Sequence, residues 1–307
     1  MNMDYSKLVT ENRNSESMEL DTLSSFEAAK LMNRMDAEIA AAIEKTLPDI
    51  AAVIDRITEA YKKGGRLVYC GAGTSGRLGV LDASECLPTF GAGSDMVTAV
   101  MAGGIKALTT AVEGAEDDAE QGVSDLREIG FCAKDVLAAV SASGSAAYCA
   151  GALRYARSLG AFTAGISCVP SPAFAPLCDE LISVVTGPEV LTGSTRLRAG
   201  TATKMVLNML TTISMVQYGK VYKNLMVDMI PTNKKLKDRA FRIIMAAANT
   251  DRKTAEEALK KCGNKVKPAI VCCQTGTNYD TAEKALNEAS GFVGKAIEII
   301  RKGKQKS

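Results

Sequence analysis

The sequence predicts an α/β fold: a doubly wound, largely parallel sheet preceded by N-terminal helices and followed by a small helical module at the C-terminus. Three observations lead there. A short apolar run, Arg66 to Cys70, opens directly into the glycine-rich turn Gly71 to Arg77, and a helical pattern follows. The same unit recurs as the run Asp135 to Val140, the turn Ser141 to Ser145 and a helix from Ala147 to Ser158. Beyond Pro231 the pattern becomes purely helical and more charged. Strands that alternate with helices need crossovers, which lay the strands parallel and place helices on both faces.

Residues 1 to about 22 are polar and are expected to be extended or loosely ordered. Ser24-x-x-Glu27 has the form of a capping box, with Phe26, Ala29, Leu31 and Met32 beginning a helix after it. A second helix starts near Pro48-Asp49, which suit a first turn. Ile50, Val53, Ile54, Ile57 and Tyr61 give it one apolar face, and Gly64-Gly65 ends it. Phe162–Ser167 and Leu181–Val185 read as two further strands. Gly200 to Tyr218 is a strongly apolar helix, suited to a domain centre or a subunit contact. Lys253–Cys262 and Thr281–Ile300 form the terminal helical module, with Lys302–Ser307 as a basic tail. The expected division is residues 1–240 for the sheet domain with its N-terminal helices, and 241–307 for the module.

Composition narrows the chemistry. The 307 residues contain no histidine, which rules out Ser-His-Asp and Cys-His triads and makes an ordinary catalytic zinc site unexpected. Proton transfer must fall to carboxylates, Lys, Tyr or Cys. The nine cysteines lack CxxC spacing and mostly occupy apolar runs, as small core residues of a reducing compartment would. Met1 to Asn14 lacks the apolar stretch of a signal peptide, and no segment approaches the ~20 apolar residues of a membrane span. A cytoplasmic location is expected. A net charge of +2, 5% aromatic residues and no Trp give no hint of a nucleic-acid partner.

A small-residue turn between strand and helix exposes backbone N–H groups at a helix N-terminus, where the dipole favours an anion. Gly73, Thr74 and Ser75 meet that description, as do Ser141, Ser143, Gly144 and Ser145, and the hydroxyls add directed hydrogen bonds. Neither turn has the Gly-Lys-Ser/Thr of a Walker A loop. Gly71-x-Gly73-x-x-Gly76 matches a dinucleotide fingerprint, yet no acidic residue ends a strand ~20 residues on, and the hydroxyls suit a phosphomonoester better. A tight strand–helix turn without ligand would also read this way.

Three carboxylate positions accompany these turns. Glu85, in Leu81–Cys86 just before Pro88, is placed at a helix C-terminus, where the dipole would hold its proton on, or else on the surface. Glu113, Glu116, Asp117 and Asp118 form a cluster that could be catalytic or a solvated helix start. Glu189 and Ser194 lie in Gly187–Thr195, a polar run placed as a lid or wall of the same cleft.

The wording of these stretches resembles the N-acetylmuramic acid 6-phosphate etherases, enzymes built on the sugar isomerase (SIS) domain. GAGTSGRLGVLDASE from Gly71, AVEGAEDD from Ala111, GPEVLTGSTRLRAGTATKMVLNML from Gly187, GKVYKNLMVD from Gly219 and TNKKL from Thr232 carry the likeness, in family order over nearly the whole chain. The resemblance implies a homodimeric lyase with no metal and no cofactor. It would cleave the lactyl ether of N-acetylmuramate 6-phosphate to N-acetylglucosamine 6-phosphate and D-lactate. Glu85 would be the proton donor to lactate and Glu116 the second essential glutamate, chosen over Glu113 on the family's E-G-A-E-D order. After the second turn, where the family usually reads S-G-R-T-P-Y, this chain has Ser143-Gly144-Ser145-Ala146-Ala147-Tyr148. Its C-N-P is Cys168-Val169-Pro170, and its E-C-P-P-T is Glu85-Cys86-Leu87-Pro88-Thr89. The alternative reading is a sugar-phosphate sensor of the same class that binds without catalysis.

Overall fold

The computed structural model describes residues 9–231 and 233–305; Thr232, which opens the TNKKL motif, and the first eight residues lie outside it. Residues group into two compact units, Met1–Ser84 with Ser94–Thr211, and Glu85–Gly93 with Thr212–Ser307.

The first unit contains the sheet. Its five strands are β1 (Leu67–Gly71), β2 (Val97–Met101), β3 (Val136–Val140), β4 (Phe162–Ser167) and β5 (Glu180–Ser183). They lie in the order β2-β1-β3-β4-β5, every neighbouring pair parallel. β2 is absent from the sequence reading: Thr98 breaks its apolar run, and Thr98 and Ala99 are only half-buried on this edge strand. β1 and β3 are buried along their whole length, as central parallel strands are.

Before the sheet come α1 (Ser25–Asp36), α2 (Ile39–Glu44) and α3 (Leu47–Lys62). The capping box forms as read: Glu27 N–H donates to Ser24 Oγ at 3.3 Å, and Ser24 N–H donates to Glu27 Oε2 at 3.0 Å. α3 has its Pro in the first turn and buries Ile50, Val53, Ile54, Ile57 and Tyr61. The segment before α1 differs from the expectation of loose order. From Val9 it makes three short 3₁₀ turns, Thr10 is fully buried and Asn14 nearly so.

Side chains of β1 alternate between two helical layers. Val68 and Cys70 join one core with Leu126 of α5 (Ala119–Glu128) and Cys149, Ala152, Leu153 and Ala156 of α6 (Ala147–Ser158). Tyr69 points the other way, towards α4 (Gly73–Phe90) and α7 (Arg198–Gln217), donating to Asp82 Oδ2 at 3.0 Å and reaching Leu207 O at 3.4 Å. A Cβ on Gly79 would stand 2.9 Å from Tyr69 Cβ, so α4 lies tight on this strand.

The second unit is helical apart from a two-residue hairpin, β6 (Val221–Tyr222) and β7 (Leu225–Met226). Its helices are α8 (Lys234–Ala248), α9 (Arg252–Lys261), α10 (Val266–Thr275), α11 (Tyr279–Glu288) and α12 (Val293–Gln305). They enclose Ile244, Leu259, Ile270, Val271, Ala282 and Ile297. The stretch 281–300 is two helices, not one run, because Ser290 and Gly291 take left-handed φ of 53° and 81° and break it.

One half-buried carboxyl gives the sheet unit a pH signature. Burial raises the Asp82 pKa from 3.8 to about 6, against the opposing hydrogen bonds from Tyr69 and Thr211. The folded protein therefore holds this proton more tightly than the unfolded chain. The contribution to stability is complete below pH 3.8 and is lost as pH rises through about 6. Asp82→Asn is expected to remove that loss. Between pH 4 and 7 its unfolding free energy in urea should improve relative to the parent by on the order of 2 kcal/mol. A constant difference across that range would refute the assignment.

Candidate active site

Strand order reverses between β1 and β3, since their following helices pack on opposite faces of the sheet. Such a switch point leaves a crevice at the carboxyl ends of the two strands. A cavity of about 440 Å³ lies there, lined by Gly73-Thr74-Ser75, by Ser141 to Ser143 with Ser145 and Ala146, and by Glu116 and Asp117. Thr195, Gly200 and Thr203 complete one wall, and Glu11 closes another.

The first turn is tighter than the sequence reading gives. α4 begins at Gly73, so Thr74 and Ser75 belong to its first turn instead of a preceding loop. Gly71 and Gly76 allow this. A Cβ on Gly76 would be 2.6 Å from Gly71 O, and one on Gly71 would be 2.8 Å from Gly76 N. α7 closes on the same turn, a Cβ on Gly200 falling 3.5 Å from Thr74 Cγ2.

The second turn is held by its own hydroxyls. Gly144 N–H donates to Ser141 Oγ at 3.1 Å, and the Ser143 and Ser145 hydroxyls are 2.7 Å apart. Gly144 has φ +67°, and a Cβ there would lie 2.0 Å from Pro172 Cβ. It shapes the turn without lining the cavity, and its amide is used inside the loop. Ala146, the N-cap of α6, offers no side-chain acceptor, so the first N–H groups of that helix have no side-chain cap. Two helix N-termini and their hydroxyls thus meet in one crevice.

None of the described residues lining the cavity is Lys or Arg. Its charged groups are Glu11, Glu116 and Asp117. An anion here would be held by amide dipoles and hydroxyls, while the carboxylates would accept protons or hydrogen bonds from the rest of the ligand. Thiol chemistry is disfavoured nearby, since burial pushes Cys168 up to about 12.

The carboxylates named from the sequence fall in different places. Glu116 lines the cavity from a 3₁₀ turn, Ala115–Asp117, entered through Gly114 at φ +72°; Glu113 does not line it. Glu189 is fully buried and accepts the N–H groups of Arg198 at 2.8 Å and Ala199 at 2.9 Å. It caps the start of α7, with its pKa raised by burial against the opposing backbone hydrogen bonds, and is not a cavity wall. Ser194 is also outside the lining, and its neighbour Thr195 is within it. Glu85 is exposed on α4, one turn before the last instead of at the helix end. It is not among the lining residues.

Glu11, Thr195, Gly200 and Thr203 were not chosen as site residues. Thr195, Gly200 and Thr203 lie inside stretches the sequence reading singles out, and Asp117 belongs to its acidic cluster, whereas Glu11 lies in the polar N-terminal segment.

A five-stranded parallel sheet flanked by helices, with a crevice at its switch point, is the architecture of a SIS domain. Residues 49–157 match the family described as the glucokinase regulatory protein N-terminal SIS domain. A solved putative phosphosugar isomerase from Bacteroides fragilis shares the fold at TM-score 0.50 and 19% identity, over 63% of this chain and 91% of that one. The chain is 52% identical to N-acetylmuramic acid 6-phosphate etherase 2 of Vibrio cholerae serotype O1, over 95% of each chain. It is 50% identical to the N-acetylmuramic acid 6-phosphate etherase of Actinobacillus pleuropneumoniae serotype 7, over 95% of this chain and 96% of that one. The chain belongs to the N-acetylmuramic acid 6-phosphate etherase family and is an enzyme. Among the described residues no helix is long and apolar enough to cross a membrane.

Because Ser75 presents a hydroxyl at one of the two helix ends, Ser75→Ala is expected to weaken binding of a sugar 6-phosphate about tenfold while leaving thermal unfolding unchanged. Calorimetric titration measures this, and unaltered affinity would remove the α4 turn from the anion site.

Proposed function

We propose that the chain is a carbon–oxygen lyase that cleaves the D-lactyl ether of N-acetylmuramate 6-phosphate, yielding N-acetylglucosamine 6-phosphate and D-lactate in cell-wall amino-sugar recycling. What supports the reading is one crevice that joins two helix starts to the carboxylate of Glu116, in a chain half identical to etherases along its length. The phosphate is assigned to Gly73–Ser75 and Ser141–Ser145.

With the sugar ring open, the C1 aldehyde acidifies the proton on C2. Glu116 takes that proton, the electron pair forms the C2–C3 double bond, and the C3–O bond breaks. The departing oxygen is a poor leaving group unless protonated, the role given to Glu85. Water then adds its oxygen to C3 and a proton returns to C2, so atoms and charge balance. Each assisted transfer is typically worth ~10²–10⁴-fold.

Glu85 is not among the residues that line the crevice of its own chain. Leu81, Ser84, Glu85 and Pro88 share one exposed face of α4, with Leu81 half exposed. This supports a homodimer in which that face covers a second copy's crevice and brings Glu85 to it. A substrate with both a phosphate and a carboxylate also asks for cations that this crevice does not supply from its own lining.

Incubation with N-acetylmuramate 6-phosphate should release D-lactate, and in D₂O the product should carry deuterium at C2. Binding without release would instead favour a sensor. Glu85→Ala should abolish lactate release while retaining exchange of the C2 proton; equal loss of both would contradict the donor role.

Co-expressed Glu85→Gln and Glu116→Gln chains test the assembly. Each variant alone should be inactive, whereas mixed dimers should recover activity in the one site of each pair that keeps both glutamates. No recovery in a mixture shown to contain heterodimers would exclude sharing of the site between copies.

A further inference from the structure

We propose that Glu11 is a specificity-determining residue of this pocket: its carboxylate accepts a hydrogen bond from the C4 hydroxyl of the sugar, between the phosphate and the two reacting carbons. The inference rests on the lyase reading above and adds to it a recognition element supplied by the N-terminal segment.

Glu11 reaches the cavity because its segment is pinned on both sides. Thr10, immediately before it, is fully buried. Asn14 is 7% exposed, and its Nδ2 donates to Pro188 O at 3.2 Å and approaches Met35 Sδ at 3.9 Å, while its Oδ1 accepts Glu16 N–H at 2.9 Å. Pro188 belongs to the loop that also carries Gly193, and the same loop is fixed from below by Glu189 holding the start of α7. Gly193 lies directly against the Glu11 carboxylate: a Cβ there would be 3.4 Å from Glu11 Oε2. A loosely held terminus would not be anchored by a buried asparagine and a buried threonine.

The Glu11 side chain is exposed, and its carboxylate is little used by the described residues. Its hydrogen bond among the described residues is from Thr10 Oγ1 at 3.4 Å, a long one, and no Lys or Arg of the described residues pairs with it. An ionised carboxylate has about four acceptor positions, so Glu11 presents free acceptor capacity to the cavity. Such a group selects for donors and against anions. The phosphate and the lactyl carboxylate of the substrate would be repelled by it, leaving the hydroxyls and the amide N–H as partners. The C5 oxygen is closed into the ring before opening, and C1 becomes a carbonyl after it. The C4 hydroxyl keeps its proton throughout and can be held from binding to product release.

The test compares N-acetylmuramate 6-phosphate with its 4-deoxy analogue on the full chain. Glu11→Ala is expected to lower kcat/KM for the parent substrate about ten- to hundredfold, chiefly through KM, with the pH profile of kcat unchanged. Glu11→Gln, which keeps one acceptor oxygen, should recover part of that loss. The 4-deoxy substrate should be equally poor with wild type and Glu11→Ala, because its contact is already missing. An unchanged KM for the parent, or an equal penalty on both substrates, overturns the proposal, and a shifted pH profile would make Glu11 a proton-transfer group instead. Should wild type release no lactate, the lyase reading fails separately. The same comparison of affinities, made by calorimetry with N-acetylglucosamine 6-phosphate and its 4-deoxy form, still decides Glu11.

Discussion

The constraint on which the site depends is the contact between Gly71 at the end of β1 and Gly76 in the first turn of α4. Backbone meets backbone there at a distance no side chain would tolerate. This closeness lets the helix start at Gly73 and directs its N-terminus into the crevice. β1 sends its helix to one face of the sheet and β3 sends its helix to the other, so the two helix starts diverge above a shared gap. The second turn uses a different device for the same end. Gly144 fits under Pro172 while serine hydroxyls fold the loop on itself.

The electrostatics follow from that arrangement. A pocket lined by three carboxylates and no cationic side chain would repel a phosphate if side-chain charge were all that acted. The two helix ends supply fixed partial positive charge without a mobile cation. The acids can then be given to hydroxyl recognition and proton transfer. Glu189 shows how position changes the role of the same side chain. Buried beneath α7, it spends both oxygens on backbone amides and is a structural anchor for the wall that carries Thr195 and Gly200.

The N-terminal segment illustrates why polar sequence is a poor guide to order. Val9 to Thr22 has too few apolar residues to announce a packed element, yet Thr10 and Asn14 are both buried. Asn14 offsets its burial by donating to the distant backbone oxygen of Pro188, a partner that no local pattern reveals.

What the sequence determined by itself is local. The parallel α/β order, four of the five strands, the capped start of α1, the apolar face of α3 and the two phosphate-type turns all follow from periodicity, capping residues and glycine placement over short spans. The lack of histidine leaves proton transfer to carboxylates, Lys, Tyr or Cys. Tertiary structure decided the rest because the deciding contacts join residues far apart in the chain. It made an edge strand of Val97–Met101 through pairing with β1. It turned Glu189 into a cap, separated Glu116 from Glu113, brought Glu11 over the cavity and set Glu85 on an outward face of α4. A spacing pattern fixes which side of a helix a residue occupies, but only the packing of other elements fixes what that side meets.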